Sequence, residues 1–276
     1  GHASSELFHA ISAEAVRRGL GGFNPQELSN TVWAFAKAGH ASSELFSAIS
    51  AEAVRRRLGG FNPQDLSNTA WAFATAGHAS SELFHAISAE AVRRRLGGFN
   101  PQELSNTAWA FATANHASPE LFKAISAEAV RRGLGGFNPQ ELSNTAWAFS
   151  TARHASSELF SAILAEAVRR RLSGFSPQHL SNTAWAFAVG HASSELFSAI
   201  SAEAARRGVG DFTEQELSNT AWAFATAGHP SPELFHAISA EAVRRGLGGF
   251  NLQDLSNTAW AFAVLNPPSA DELFGT

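Results

Sequence analysis

Two amides and an indole recur through this chain at one register. Gln26, Asn30 and Trp33 stand in "NPQELSNTVWAFA", and the same trio returns six times with few changes. The amide pairs are Gln26/Asn30, Gln64/Asn68, Gln102/Asn106, Gln140/Asn144, Gln178/Asn182, Gln215/Asn219 and Gln253/Asn257. A carboxamide carries both donors and an acceptor, so it can read the edge of a nucleobase, and a flat indole can stack on one. Rows with one such unit per repeat suit single-stranded nucleic acid.

Arginine is the second candidate. Eighteen of the 20 basic residues are Arg, and all but Arg153 lie in "RR" or "RRR" runs. Taking one per repeat gives Arg18, Arg56, Arg94, Arg132, Arg170, Arg207 and Arg245, a basic edge suited to a phosphate backbone. A structural role competes with it. Arg at a helix C-terminus complements the macrodipole, and Glu14 and Arg18 stand at i, i+4. The expectation is one structural and one available Arg per repeat. The amides also have a structural alternative, a ladder in which Asn30 and its copies bond the backbone of the next repeat. Trp33 and its copies have one in inter-repeat packing.

Other chemistry is not indicated. One His per repeat (His2, His40, His78 and onward) with no second ligand at short spacing does not make a metal site. No nucleophile, base and orienter recur together, and "GLGGF" joins two helices rather than following a strand. The reading is a binding protein, not an enzyme, with no catalytic residue, metal or cofactor.

The elements that must position these residues follow from the period. Trp33, Trp71, Trp109, Trp147, Trp185, Trp222 and Trp260 are spaced 38, 38, 38, 38, 37 and 38 apart. A fixed period of this size is the mark of a repeat array. The short step falls at "FAVGH" (187–191), where one residue is lost in a turn. Within a repeat, "SSELFHAISAEAVRR" predicts a first helix with Ser4 as N-cap and Leu7, Ile11 and Ala15 in one apolar stripe, stopped at "GLGG". Asn24 and Glu27 form a capping-box pattern with Pro25 at the first position of a second helix. In that helix Leu28, Val32 and Phe35 make the buried stripe. At 100° per residue, Gln26, Ser29, Asn30, Trp33 and Lys37 fall on the far side, at about 100° to 200° from Leu28.

One hairpin cannot bury its own stripes, but stacked copies can. The expected fold is therefore all-α, a right-handed αα-hairpin solenoid of seven repeats over residues 1–266, with 267–276 starting an eighth. The second helix is expected to carry the ligand. The 276 residues have a net charge of −4 and no Cys. They contain no run of 18 apolar residues, so no membrane span is expected. No start Met, signal peptide or transit peptide is visible, and the chain reads as a monomeric fragment of a longer array.

At "PQELSNTAWAFATAGH" the chain resembles the octotricopeptide repeat family of 38-residue helix pairs, with its "Leu-x-Asn-x-x-Trp-Ala-x-Ala" core. The resemblance covers residues 1 to about 266. It implies RNA binding in chloroplast or mitochondrial RNA processing, stability or translation. The Pro-Pro-Pro-Glu-Trp run of many members is absent from this sequence, as is the RAP domain, so no nuclease activity carries over.

A reader of mixed sequence should vary its reading residues, yet Gln26, Ser29, Asn30 and Trp33 are the same in every copy. The expectation is a homopolymeric or low-complexity RNA tract, one base per repeat. The rival is a protein-binding scaffold, since helical solenoids offer long concave faces to peptides and domains as well.

Overall fold

The computed structural model describes residues 2–154 and 156–265. These residues form fourteen α-helices and no strand. The expected start of an eighth repeat lies outside the described residues.

The chain divides into two compact units, Gly1–Arg132 and Gly133–Thr276. The division falls between the two helices of the fourth repeat. The first unit holds α1 (His2–Arg18), α2 (Pro25–Lys37), α3 (Ser43–Arg55), α4 (Pro63–Thr75), α5 (Ser81–Arg93), α6 (Pro101–Thr113) and α7 (Pro119–Arg132). The second holds α8 (Pro139–Thr151), α9 (Ser157–Arg169), α10 (Pro177–Gly190), α11 (Ser194–Arg207), α12 (Glu214–Thr226), α13 (Pro232–Arg245) and α14 (Leu252–Leu265). Odd numbers are first helices of a repeat and even numbers are second helices. Within each unit adjacent helices pack in the regular pattern of a solenoid, the fold class expected.

The helix boundaries follow local chemistry. Asn24 accepts from the Glu27 N–H at 2.8 Å while its own N–H donates to Glu27 Oε2 at 2.7 Å, with Pro25 at the first position. The same reciprocal box recurs before α4, α6 and α8, and with Ser176 and Thr213 as caps before α10 and α12. Ser42, Ser80 and Ser193 cap α3, α5 and α11. The first repeat departs from that expectation: α1 already runs from His2, so Ser4 lies inside it.

The first helices end in two ways. After "RRG" the glycine takes positive φ, as at Gly19 (φ 76°, ψ 150°), and a short 3-10 turn follows. After "RRR" two ordinary residues in succession turn left-handed, Arg57 and Leu58 at φ 52° each. Leu58 N–H then reaches back to the Ala53 carbonyl at 3.0 Å, closing the helix as a Schellman turn does. Arg95/Leu96 and Arg171/Leu172 repeat this. At the other end of the hairpin Asn115 (φ 50°) replaces the usual glycine, and Arg153 (φ 52°) does so in the next copy.

The expected core is found. Leu28, Val32 and Phe35 are buried, as are Leu66, Ala70 and Phe73 one repeat on. Leu7 and Ile11 of α1 are exposed, whereas their copies Leu45 and Ile49 are buried. In later repeats the preceding repeat covers that stripe.

The two layers are packed differently. Consecutive second helices lie against one another along their length: α2 on α4 and α4 on α6 in one unit, α8 on α10, α10 on α12 and α12 on α14 in the other. Consecutive first helices touch at few positions. Small buried side chains permit the close approach, among them Ser67, Thr69, Ala70, Ala72 and Ala74 of α4. A unit whose second helices are closer together than its first must curve with the second helices inside.

Candidate functional site

The capping boxes fix where each second helix starts and hence which residues reach its open face. Gln26, Asn30, Trp33 and Lys37 stand at i, i+4, i+7 and i+11 and share one stripe. The seven glutamines, Gln26 to Gln253, are all exposed. Asn30 is exposed, and Asn68, Asn106, Asn144, Asn182, Asn219 and Asn257 are half-buried. The expected alternative, an asparagine ladder bonding the next repeat, is absent. Among the described residues, no hydrogen bond of these Gln or Asn amides to the protein is found, and none of their polar atoms is sealed from solvent. The amides therefore stand unpaired in two rows on the inner layer of each unit.

Ser29 is a correction. The helical wheel places it on the open side, but it is fully buried and its hydroxyl donates to the Asp65 carbonyl at 3.2 Å. Its copies Ser67, Ser105, Ser143, Ser181 and Ser218 are buried too. Within a unit an interior second helix such as α4 is flanked on both sides by another, so the wheel's far side is open there only along its centre.

The indoles line the same stripe. Trp33 and Trp260 are 40% and 44% exposed, and the five between them are half-buried. Rings of adjacent repeats meet at centroid distances of 6.4 Å for Trp33–Trp71 and Trp71–Trp109, 6.5 Å for Trp147–Trp185 and 6.3 Å for Trp222–Trp260.

The arginine assignment is also corrected. Arg56, Arg94, Arg132, Arg170, Arg207 and Arg245, taken above as the available phosphate-binding set, are the ones already engaged. Arg56 donates from Nη1 to the Phe23 carbonyl at 2.6 Å and from Nη2 to the Leu20 and Gly21 carbonyls at 2.9 and 3.0 Å. It thus ties the end of one first helix to the loop of the preceding repeat. Arg94 bonds Phe61, Arg132 bonds Phe99, Arg170 bonds Phe137, Arg207 bonds Phe175 and Arg245 bonds Phe212 in the same way. Only Arg18 keeps its guanidinium open, held by Glu14 at 2.6 Å, the pairing expected. The first arginine of each run is the accessible one: the Arg55 side chain is 67% exposed against 19% for Arg56. Which Arg of a run meets the neighbouring loop is set by a 100° turn that no composition signal marks.

A glutamate joins each pair of arginines. Arg55 Nη2 and Arg56 Nε reach Glu52 Oε1 at 2.6 and 2.5 Å. The hydrogen bond from Arg55, with help from Arg56, lowers the Glu52 carboxyl from 4.5 to about 2. Glu90, Glu128, Glu166 and Glu241 are lowered to about 2 by their own paired arginines. Arg57, Arg95 and Arg171, at the left-handed turns, are exposed, and their side chains make no hydrogen bond or ion pair among the described residues.

The histidines act as packing pieces. His40 stacks on Phe8 at 4.8 Å, and His78 lies 5.2 Å from Phe46. Burial lowers the His116 pKa, with a smaller contribution from nearby His85. Among the described residues no three His, Asp or Glu side chains are grouped to hold a metal ion. Two grooves of a size for a compact ligand lie elsewhere, between first helices. One of ≈ 470 Å³ includes Phe46 and His78, and one of ≈ 630 Å³ includes Arg171 and Arg206. Neither touches the amide rows. Those rows form an open track, which suits a linear polymer and not a compact molecule.

A protein-family model describing the RNA-editing substrate-binding complex 6 protein, RESC6, matches residues 4–272. The chain belongs to the RESC6 family. No curated protein matches it. Membership supports the coarser expectation drawn from the sequence: this is an RNA-associated helical-repeat protein, from a family whose name points to RNA and to a complex of proteins. Among the described residues, no helix of this RESC6-family chain is long and apolar enough to cross a membrane.

Proposed function

We propose that this chain is a single-stranded RNA-binding protein that acts by binding, with one base per repeat read by a Gln and an Asn of the second helix. The observation that carries the reading is the pair of amide rows, Gln26/Asn30 and its copies, solvent-accessible and unbonded within the protein. Carboxamides left open on the inner layer of a solenoid have a use when a base edge meets them. The RESC6 family name, with its RNA-editing substrates, supports the same class of ligand. Because every repeat presents the same two amides, the favoured RNA is a homopolymeric or low-complexity tract. The octotricopeptide-like repeat supports a role in organellar RNA processing, stability or translation. Phosphate contacts fall to the exposed arginines, Arg55 and Arg57 in the second repeat and Arg93 and Arg95 in the third.

Fluorescence anisotropy with labelled oligonucleotides of each base, at two salt concentrations, tests this. The expected result is a marked preference for one base, with affinity that falls as salt rises. Asn68→Ala and Asn106→Ala should each weaken that preference without altering the thermal midpoint. A second reading, a scaffold for protein partners, is favoured by the net charge of −4 and by a family named for a complex. Flat, weak binding to all four homopolymers would choose it.

A further inference from the structure

The seven tryptophans give this protein a second kind of contact with RNA, one that rests on the single-strand reading above. We propose that RNA bases insert between consecutive indoles, so that Trp33, Trp71 and Trp109 in the first unit alternate with bases in one column. The pairs Trp147/Trp185 and Trp222/Trp260 do the same in the second.

Two sets of aromatic pairs in the same molecule can be compared. Core pairs are close and edge-on: Phe8–Phe35 at 4.9 Å and 88°, Phe46–Phe73 at 5.0 Å and 60°, Phe84–Phe111 at 4.9 Å and 64°. That is ordinary interior packing. The indole pairs are wider and flatter, 6.3 to 6.5 Å with ring planes 31° to 37° apart. They also reach solvent, which the core phenylalanines Phe46, Phe73, Phe84 and Phe111 do not.

The spacing has a meaning for nucleic acid. Stacked bases advance about 3.4 Å each. A column alternating indole and base therefore repeats every ~6.8 Å. The observed centroid distances fall a few tenths of an ångström short of that repeat, and the ring planes must turn toward parallel to admit a base. A strand advancing one nucleotide per repeat at this pitch cannot keep its own bases stacked on each other. The indole fills the gap that opens between them. Asn30 and its copies, three residues before each Trp on the same stripe, then meet the base edge while the rings hold its faces. This explains why the Trp never varies: stacking tolerates every base, so no repeat gains by changing it.

The sequence supplies a probe. All seven Trp residues stand at the same position of their repeats and there is no Tyr, so intrinsic emission reports on these indoles alone. Titrating the full chain with the homopolymer that binds best should quench this emission in step with the anisotropy change. An abasic ribose-phosphate oligomer of the same length should bind at least tenfold more weakly and leave the emission unchanged. Trp71→Leu should lower affinity by about tenfold or more, and Trp71→Phe should retain most of it. Base-selective binding with unchanged emission would overturn the indole column and leave the amide reading standing, whereas equal affinity for the abasic oligomer would remove both. Absence of any RNA binding by anisotropy would remove both. The emission and abasic arms use the unaltered chain, so the outcome stands even if Trp71→Leu fails to fold.

Discussion

The two helix layers of each unit are built from the same repeat yet are joined by different means. Second helices meet mainly through shape: Ala70, Ala72 and Thr69 are buried and the backbones come close, with a few buried serine hydroxyls such as Ser29 bonding the next helix's backbone. First helices are splayed and are joined by polar links. Ser12 bonds Ser42 at 2.7 Å, Ser50 bonds Ser80 at 2.9 Å, and the second Arg of each run after the first reaches back to the loop before it. A layer joined by shape has no need of amides for its own cohesion and leaves Gln64 and Asn68 open. A layer joined by hydrogen bonds uses up its polar groups. That is why the open amides sit on one layer and the engaged arginines belong to the other.

The largest expected effect is on the polar joint. Arg94→Ala removes charge-assisted bonds to Glu90 and to the Phe61 carbonyl, and should cost about 1.5–3 kcal/mol in urea unfolding. Arg93→Ala, at a side chain 70% exposed, should cost under about 1 kcal/mol. Equal losses would erase the distinction between the two arginines of a run. Overpacking the other layer comes next. Ala72→Leu should destabilise by about 1–3 kcal/mol, while Ala89→Leu on the exposed side of α5 should fall within about 0.5 kcal/mol of wild type.

Acid should act on two histidines first and on the polar joints at lower pH. The Glu52, Glu90, Glu128 and Glu166 carboxyls are lowered in the fold from 4.5 to about 2. Their contribution is complete above pH 4.5 and is lost as pH falls toward 2. Burial lowers His116 and His154, so their neutral forms favour the fold above 6.5, with loss beginning as pH drops below it. A thermal midpoint followed from pH 8 to 2 should therefore decline in two stages. A flat profile below 4.5 would discount the glutamate links. The turns carry opposite effects, a small gain after "RRR" and a loss after "RRG". Arg57→Gly should relieve a left-handed residue, with a gain of no more than about 1 kcal/mol. Gly19→Ala, at φ 76° and ψ 150°, should lose about 1–3 kcal/mol.

Much of this was legible in one sequence. The period, the hairpin, the capping box at Asn24/Glu27 and the buried Leu28–Val32–Phe35 stripe are local or one-helix properties. The misreadings at Ser29 and Arg56 share a cause: both face a neighbouring repeat, and a single-helix wheel contains no neighbours. The shortened copy is a third case. The loss of one residue near 187–191 removes the left-handed turn, and α10 continues through Gly190. A Cβ there would lie 2.7 Å from Ser150 Oγ and 3.2 Å from Phe160 Cζ. The gap in the period was visible, but the close approach of neighbouring side chains that requires glycine was not.

The backward-reaching arginine gives the array a grammar. Each interior repeat holds both halves of the link, an Arg that reaches back and a loop whose carbonyls receive the next Arg, as Arg56–Phe23 and Arg94–Phe61 show. Any such copy can therefore stand next to any other. Whole repeats can be inserted or excised without orphaning a guanidinium, whereas a cut inside a repeat separates the halves. Near-identical copies would then be interchangeable parts, and the length of RNA covered could change by unequal recombination in steps of one repeat.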